Sequence, residues 1–172
     1  MGFATTKAEQ LDAAIYAAVA GARIPVVDTA MRRLSRTADH GKLWIAVAVG
    51  LGLVGDPRAG RRGLVSLGIA SATANVALKP LTRRRRPERA EAASLAARHV
   101  PLPRSSSFPS GHTASAFAFA VGAGAELPAA RWPLLALATA VGYSRVHTGV
   151  HYPGDVVAGA LVGIGAGRLS GR

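Results

Sequence analysis

Residues 107–126 read SFPSGHTASAFAFAVGAGAE, a short polar motif followed directly by an apolar segment rich in alanine and glycine. Ser110 is a favourable helix N-cap residue, and Gly111, which lacks a side chain, lets the backbone approach an anion. His112 follows in the first turn of such a helix. The stretch therefore predicts a helix over 109–126 whose N-terminus binds a negatively charged group.

Four other apolar segments lie on either side of this stretch, in a chain with 49% hydrophobic and 17% charged residues. They predict helices at 40–56, 62–80, 131–148 and 153–169. These segments are shorter than the ~20 residues that usually cross a bilayer, which favours a soluble helical protein as an alternative. Polar residues at their ends, where they can face a shared cavity, favour a membrane protein. We therefore expect an all-α, integral-membrane bundle of about five short transmembrane helices.

The N-terminal part has a different pattern. Between residues 10 and 36, apolar residues alternate with charged ones such as Asp12 and Asp28. This pattern is typical of an amphipathic helix that lies in the membrane interface. The first residues lack the charged-then-apolar order of a secretory signal, so we expect them in the mature protein. We divide the chain into an interfacial segment, 1–36, and a membrane-embedded domain, 37–172.

The composition limits the chemistry that the chain can perform. It has no cysteine, which excludes disulfides, thiolate metal sites and a cysteine nucleophile. Lys and Arg number 21 against 9 Asp and Glu, a formal net charge of +12. Such a charge suits an anionic partner, which leaves nucleic acid, a phosphorylated substrate and acidic lipid open.

Three short motifs combine basic residues with histidine or acid near helix ends. They are KPLTRRRRP at 79–87, SFPSGHTAS at 107–115 and SRVHTGVHYPGD at 144–155. Their order and spacing resemble the three-part signature of the type 2 phosphatidic acid phosphatase family, over about residues 40–169. Lys79 is followed after six residues by Arg86, and Arg145, His151 and Asp155 have the spacing of the third motif. The resemblance implies a metal-independent lipid phosphatase that forms a phosphohistidine intermediate.

The residues of these motifs also suit phosphoryl transfer on chemical grounds. The transition state spreads negative charge over three oxygens, so the site needs cations and backbone donors. We assign this phosphate-binding role to five residues: Lys79, Arg86, Ser110, Gly111 and Arg145. A carboxylate near an imidazole holds one ring nitrogen as a donor and leaves the other free to attack. We assign His151 as the nucleophile and Asp155 as its orienting partner. By resemblance, His112 is the general acid.

Other charged residues near the motifs receive different predictions. His147 has helical spacing to His151 but does not fit the family spacing, so we expect it behind the site. His40 and His99 fit no constellation. We expect Arg83, Arg84 and Arg85 to form a solvated face or to contact lipid headgroups, and to affect substrate affinity more than catalysis.

We expect no metal and no cofactor, because the nine acidic residues do not cluster as ligands. The main alternative function is a basic nucleic-acid or membrane-surface binding protein without catalysis. It does not explain why histidine, acid and serine recur beside the arginines, and we expect no nucleic-acid partner. Vanadium-dependent haloperoxidases resemble the same motifs, but they are soluble and much larger.

The sequence is compatible with several lipid substrates and gives conflicting signals about the orientation of the protein in the membrane. Phosphatidate, phosphatidylglycerophosphate and polyprenyl phosphates or diphosphates all fit the resemblance, and the arginine run favours a polyprenyl phosphate or diphosphate. We expect a multi-pass protein of the cell membrane, with lipids as partners and its site outside the cytoplasm. The many Lys and Arg on the site's side argue for the opposite orientation. The oligomeric state stays open.

Overall fold

The computed structural model describes residues 6–22, 24–89 and 98–170, and within these ranges the chain forms helices and loops without strands. Its seven α-helices there are α1 Lys7–Gly21, α2 Pro25–Thr37, α3 Lys42–Leu53, α4 Pro57–Ala72, α5 Gly111–Glu126, α6 Arg131–His147 and α7 Pro153–Leu169. After α4, the helical path continues through a π-helical turn, Thr73–Leu78, and a 3₁₀ turn, Lys79–Leu81.

Helix α5 lies at the centre of the bundle, where α4, α6 and α7 pack against it. Its contact with α7 is very close at two glycines of α7. A Cβ atom at Gly159 would lie 2.5 Å from the carbonyl oxygen of Ser110, and one at Gly163 would meet the carbonyl oxygen of Ala114. Since no side chain fits there, glycine allows the two backbones to approach. This contact holds the N-terminus of α5 beside the N-terminus of α7.

Each of the five apolar segments contains an observed helix, and the boundaries differ by a few residues. The largest difference is at the second segment, where the helix begins at Pro57 and not at residue 62. Asp56 is its N-cap, since Oδ1 accepts a hydrogen bond from the Ala59 N–H at 3.0 Å. Proline at the first helical position has a backbone angle that is already suitable for a helix.

One helix of the described part, the 25-residue path Pro57–Leu81, is long and apolar enough to cross a membrane. Helices α1 and α2 pass the same test together if they form one broken span. Large apolar side chains are exposed on the outer faces of α3, α4 and α7, among them Ile45, Val49, Val65, Ile69 and Leu161. Such faces suit contact with lipid. The number of five spans stays a prediction.

The N-terminal segment forms two helices where the sequence predicted one. Helix α1 ends at Gly21, followed by Ala22 in an extended conformation, and α2 starts at Pro25 after an extended Ile24. The residue before a proline is biased away from helical angles, which explains the interruption. Helix α2 packs against α6, and α1 contacts α6 and α7. The division of the chain at residue 36 stays a prediction.

Candidate active site

His151 lies in the short connection between α6 and α7, and its side chain is only 2% exposed. Its Nδ1 is 3.4 Å from both the Asp155 carboxylate and the Ser107 hydroxyl. Its Nε2 faces the Arg86 guanidinium, at 3.4 Å from Nη1. A guanidinium can only donate, so Nε2 carries the lone pair and Nδ1 carries the proton. The ring nitrogen that is free to attack therefore faces a cation.

The environment keeps this ring neutral. Burial is the main cause that lowers the pKa of His151 to about 3. The hydrogen-bonding carboxylate of Asp155 opposes the shift, and the charges of Arg86 and Arg145 add to it. At neutral pH the imidazole is therefore in the unprotonated form that a nucleophile requires.

Asp155 lies in the first turn of α7 and is completely buried. Its carboxylate accepts hydrogen bonds from the Ser107 hydroxyl, from the Tyr152 backbone N–H at 2.9 Å and from Arg84 Nη1 at 2.8 Å. These donors fix the carboxylate beside the ring of His151. The structure thus brings together the two residues that the sequence predicted as nucleophile and orienting partner.

Ser110 and His112 lie at the N-terminus of α5, as predicted. Ser110 is the N-cap, and its Oγ accepts hydrogen bonds from the Thr113 N–H at 3.4 Å and from the Thr113 hydroxyl at 2.9 Å. Ser110 is completely buried, so its role as a phosphate ligand stays a prediction. His112 Nε2 lies 2.8 Å from Oδ1 of Asp39, a residue of the turn between α2 and α3.

Lys79 is held next to Gly111 by an asparagine. Lys79 Nζ donates to Asn75 Oδ1 at 2.7 Å, and Asn75 Nδ2 donates to the carbonyl oxygen of Ser71 at 3.0 Å. A Cβ atom at Gly111 would lie 2.7 Å from the same Asn75 oxygen. The bare glycine therefore makes room for the side chain that positions Lys79.

The two predicted arginines are bound to backbone and hydroxyl oxygens. Arg86 donates to the carbonyl oxygen of Val150 at 2.9 Å and to that of Ser105 at 3.1 Å. Arg145 is 1% exposed and donates to the Ser35 hydroxyl of α2. Within the described residues, Nε of Arg145 is buried without a hydrogen-bond partner. Arg145 thus keeps one buried donor unused.

One cavity of about 450 Å³ unites most of these groups. The predicted site residues that line it are Lys79, Arg86, Gly111, His112 and His151. The other three, Ser110, Arg145 and Asp155, are buried behind this lining. His40, which fitted no constellation, also lines the cavity.

The three remaining arginines of the run differ from one another. Arg84 binds Asp12 at 2.6 Å and Asp155 at 2.8 Å, and its guanidinium lies over the Tyr152 ring at 4.7 Å. The expectation of a solvated or lipid-facing side chain is therefore wrong for Arg84, because two carboxylates hold it in the protein. Arg83 and Arg85 are exposed, as expected.

These two arginines border a second groove, also of about 450 Å³, together with Arg104. The groove shares Lys79 and Arg86 with the first cavity, so the two are neighbours. Among the described residues, Arg83, Arg85 and Arg104 have no hydrogen-bonding or ionic partner. Their charges are therefore available to a ligand that extends out of the first cavity.

Sequence reasoning missed Ser107, Asn75 and Asp39. Ser107 belongs to the second motif, and its place two residues before Pro109 could have been noted. Asn75 precedes Lys79 by four residues, a spacing that places two side chains on one helix face. Asp39 lies 73 residues from His112, and no local pattern indicates their contact.

His147 lies behind the site, as expected. Its Nε2 is 2.7 Å from Asp28 of α2, its Nδ1 is 3.4 Å from the Tyr143 hydroxyl, and it does not line the cavity. Within the described ranges, no group of three or more His, Cys, Asp or Glu residues could hold a metal ion.

The sequence model of the PAP2 superfamily matches residues 62–170. The chain belongs to the PAP2 superfamily. A decaprenylphosphoryl-5-phosphoribose phosphatase from Mycolicibacterium smegmatis is 37% identical over 153 residues, which cover 85% of this chain and 77% of that relative.

Two solved structures of the superfamily have the same fold. The crystal structure of Aquifex aeolicus LpxE has a TM-score of 0.74 and 25% identity, over 93% of this chain and 94% of that one. A transmembrane PAP2-type phosphatidylglycerolphosphate phosphatase from Bacillus subtilis has a TM-score of 0.74 and 25% identity, over 96% of this chain and 85% of that one. The predicted family, the all-helical fold, the phosphatase class and a membrane location are thereby confirmed.

Proposed function

We propose that this PAP2 phosphatase removes a terminal phosphate from a polyprenyl-linked lipid through a phosphohistidine on His151. The observation that carries the proposal is the cavity in which the unprotonated His151 Nε2, His112, Lys79 and Arg86 converge. A phosphate group needs a nucleophile on one side, an acid near the leaving oxygen and cations around its equatorial oxygens. The residues around the cavity can supply all three.

The proposed reaction has two balanced steps. In the first, the lone pair of His151 Nε2 attacks phosphorus, the ester P–O bond breaks, and the leaving alkoxide takes a proton from His112. In the second, His112 accepts a proton from water, the resulting hydroxide attacks phosphorus, and the P–N bond breaks to release inorganic phosphate. Asp155 stabilises the Nδ1 proton of His151 in both steps.

Cations around the cavity would hold the phosphate oxygens. Lys79 and Arg86 line it directly, and Arg145 lies behind them with an unused buried donor at Nε. An unpaired buried donor costs free energy, and a phosphate oxygen or a bridging water would recover it. Ser110 and Gly111 would add the N-terminus of α5, where backbone N–H groups favour an anion.

The substrate class follows from the second groove. Its exposed arginines, Arg83, Arg85 and Arg104, lie beside the cavity and suit a second phosphate group on the same lipid. The relative from M. smegmatis is named for a decaprenylphosphoryl-5-phosphoribose, a lipid that carries two phosphates. A polyprenyl-linked sugar phosphate or a polyprenyl diphosphate therefore suits this site better than phosphatidate, which has one phosphate. Phosphatidylglycerophosphate also carries two phosphates and is the competing substrate.

Phosphate release from a panel of these four lipids in detergent tests the proposal. We expect kcat/KM to be highest for a polyprenyl lipid with two phosphates. Changing Arg83, Arg85 and Arg104 together to glutamine should raise KM for that lipid by roughly threefold to tenfold, since exposed ion pairs are individually weak. The same variant should leave KM for phosphatidate unchanged. Arg58→Gln, an exposed arginine at the start of α4, is the matched control.

The outcomes separate the two parts of this proposal. Absence of phosphate release from every lipid by the wild-type enzyme would contradict the lipid phosphatase. An equal rise in KM for all lipids in the triple variant would leave the phosphatase but refute the second phosphate subsite.

We further propose that the protein crosses the membrane five times with its site outside the cytoplasm. Five spans would place the N-terminal segment, the loop after Lys79 and the turn around His151 on one side. A single cysteine at exposed Glu88, in this naturally cysteine-free chain, should react with a membrane-impermeant maleimide on intact cells. Val54→Cys, in the exposed turn between α3 and α4, should react only after lysis. The reverse pattern would place the site in the cytoplasm.

A further inference from the structure

Three carboxylates from the part of the chain before residue 62 contact residues in or near the active site. Asp12 binds Arg84 at 2.6 Å and the backbone N–H of Gly154 at 2.7 Å. Asp28 lies 2.7 Å from His147, and Asp39 lies 2.8 Å from His112. These acids come from residues before 62, outside the part of the chain that the superfamily model matches. This part of the chain therefore forms contacts around the site through residues that lie outside the three sequence motifs.

Asp39 is the carboxylate of this set that contacts a residue of the cavity lining. Its Oδ1 lies 2.8 Å from His112 Nε2 and 3.7 Å from Arg145 Nη1. Within the described part of the chain, Asp39 is the one acidic partner of His112. The bond occupies Nε2, so Nδ1 is the ring nitrogen left for the substrate.

The backbone of the turn is specialised to present this carboxylate. After Asp39, both His40 and Gly41 have left-handed angles, with φ of 57° and 73°. A left-handed conformation is unfavourable for a residue with a side chain, and such residues concentrate at functional sites. His40 itself lines the cavity. The turn therefore brings two residues to the active site at a conformational cost.

The carboxylate is ionised in this setting. The hydrogen bond with His112 is the main cause that lowers the pKa of Asp39, and the charges of His112 and Arg145 help, while burial opposes the shift. An ionised partner at hydrogen-bond distance fixes the tautomer and the orientation of an imidazole, and it opposes the effect of burial, which disfavours the protonated ring.

We propose that Asp39 is a positioning residue for the general acid, and that the turn between α2 and α3 is in this way part of the active site. The inference rests on the proposed function, because it requires His112 to protonate the leaving oxygen. Asp39 does not touch the substrate. It holds the His112 ring by Nε2, so that the proton on Nδ1 is directed into the cavity.

The dependence on the leaving group tests this role. A lipid phosphate leaves as an alkoxide and needs a proton from the acid, whereas the p-nitrophenolate of p-nitrophenyl phosphate leaves without one. Asp39→Asn should therefore lower kcat/KM on the lipid by roughly 10- to 150-fold, the effect of losing one charged hydrogen bond. Its kcat/KM on p-nitrophenyl phosphate should change less than threefold, because kcat/KM covers the phosphorylation of His151 and not the later attack of water, in which His112 acts for both substrates. Asp39→Glu should recover part of the lipid activity.

Asp28→Asn is the matched control, because it removes a carboxylate–histidine contact of 2.7 Å, close to the 2.8 Å of Asp39 and His112, that does not reach the cavity. It should lose similar thermal stability in detergent without a difference between the two substrates. An equal loss of kcat/KM on both substrates in Asp39→Asn would refute the positioning role and indicate a structural one. Absence of activity in the wild-type enzyme on both substrates would instead contradict the proposed function.

Discussion

Replacing Gly111 by alanine adds one methyl group directly against the side chain that holds Lys79. The new Cβ atom would lie 2.7 Å from Asn75 Oδ1 and 3.0 Å from Nδ2, closer than packed atoms come. Asn75 can move only by giving up a hydrogen bond, because its oxygen accepts from Lys79 and its nitrogen donates to Ser71. The helical backbone of Gly111 itself accepts alanine without strain.

The size of the effect follows from the bond that breaks. A hydrogen bond to a charged group is worth about 1.5–3 kcal/mol, which corresponds to a roughly 10- to 150-fold change in rate. If Lys79 loses its partner and no longer points at the phosphate, kcat/KM of Gly111→Ala should fall by about this factor. Phosphate release from the preferred lipid measures the fall, and thermal unfolding in detergent checks that the protein is folded.

A double-mutant cycle decides whether the clash with Asn75 is the cause. Asn75→Ala removes both the obstacle and the bond, so adding Gly111→Ala to it should cost nothing further. Multiplying effects of the two changes would refute this reasoning. They would mean that Gly111 acts independently of Asn75, by letting the backbone approach the phosphate.

Three further predictions concern the chemistry of the site. His151→Ala and His112→Ala should each abolish phosphate release in a folded protein, while His147→Ala should retain substantial activity; a fully active His151→Ala variant would overturn the assignment of the nucleophile. Activity should persist in excess EDTA, and vanadate should inhibit by resembling five-coordinate phosphorus; a loss on chelation that magnesium restores would contradict the phosphohistidine route. The pKa of His151 is about 3 in the folded protein and about 6.5 in the unfolded chain. Between about pH 3 and pH 6.5 the unfolded chain therefore binds more protons than the folded protein, and the free energy of unfolding falls as the pH is lowered. The drop in melting temperature between pH 7 and pH 5 should therefore be smaller in His151→Gln than in the wild type.

The helices and the core of the site could be predicted because their signals are local. Apolar segments show where helices form, and the motif spacing places His151 just before α7 and Asp155 in its first turn. The partners of these residues are not local. Asp39 meets His112 because the turn Asp39–Gly41 packs against α5, and no local pattern in the sequence indicates a contact over 73 residues.

For the N-terminal segment, too, the sequence pattern did not indicate which residues its side chains contact. Its alternation of charged and apolar residues predicted a helix in the membrane interface. Such a pattern indicates an amphipathic helix but does not determine which surface each face contacts. Asp12 and Asp28 are two of the charged residues in this pattern. In the structure they face Arg84 and His147, so part of the polar face is turned towards the protein. A charged face can therefore be an intramolecular contact surface as well as a solvated one.

This use of charge also bears on the orientation of the protein in the membrane. Five arginines on the side of the site donate hydrogen bonds within the protein: Arg84, Arg86, Arg89, Arg98 and Arg145. Their hydrogen bonds explain why these five arginines are present. The number of positive charges on this side therefore does not have to reflect the orientation of the protein in the membrane. The exposed arginines of the second groove are explained by the proposed binding of a second phosphate. The positive charges on this side that have no such explanation are chiefly the arginines of α2. They lie on an amphipathic helix and not in a loop beside a span, where the positive-inside rule applies. The charge count is therefore compatible with a site outside the cytoplasm.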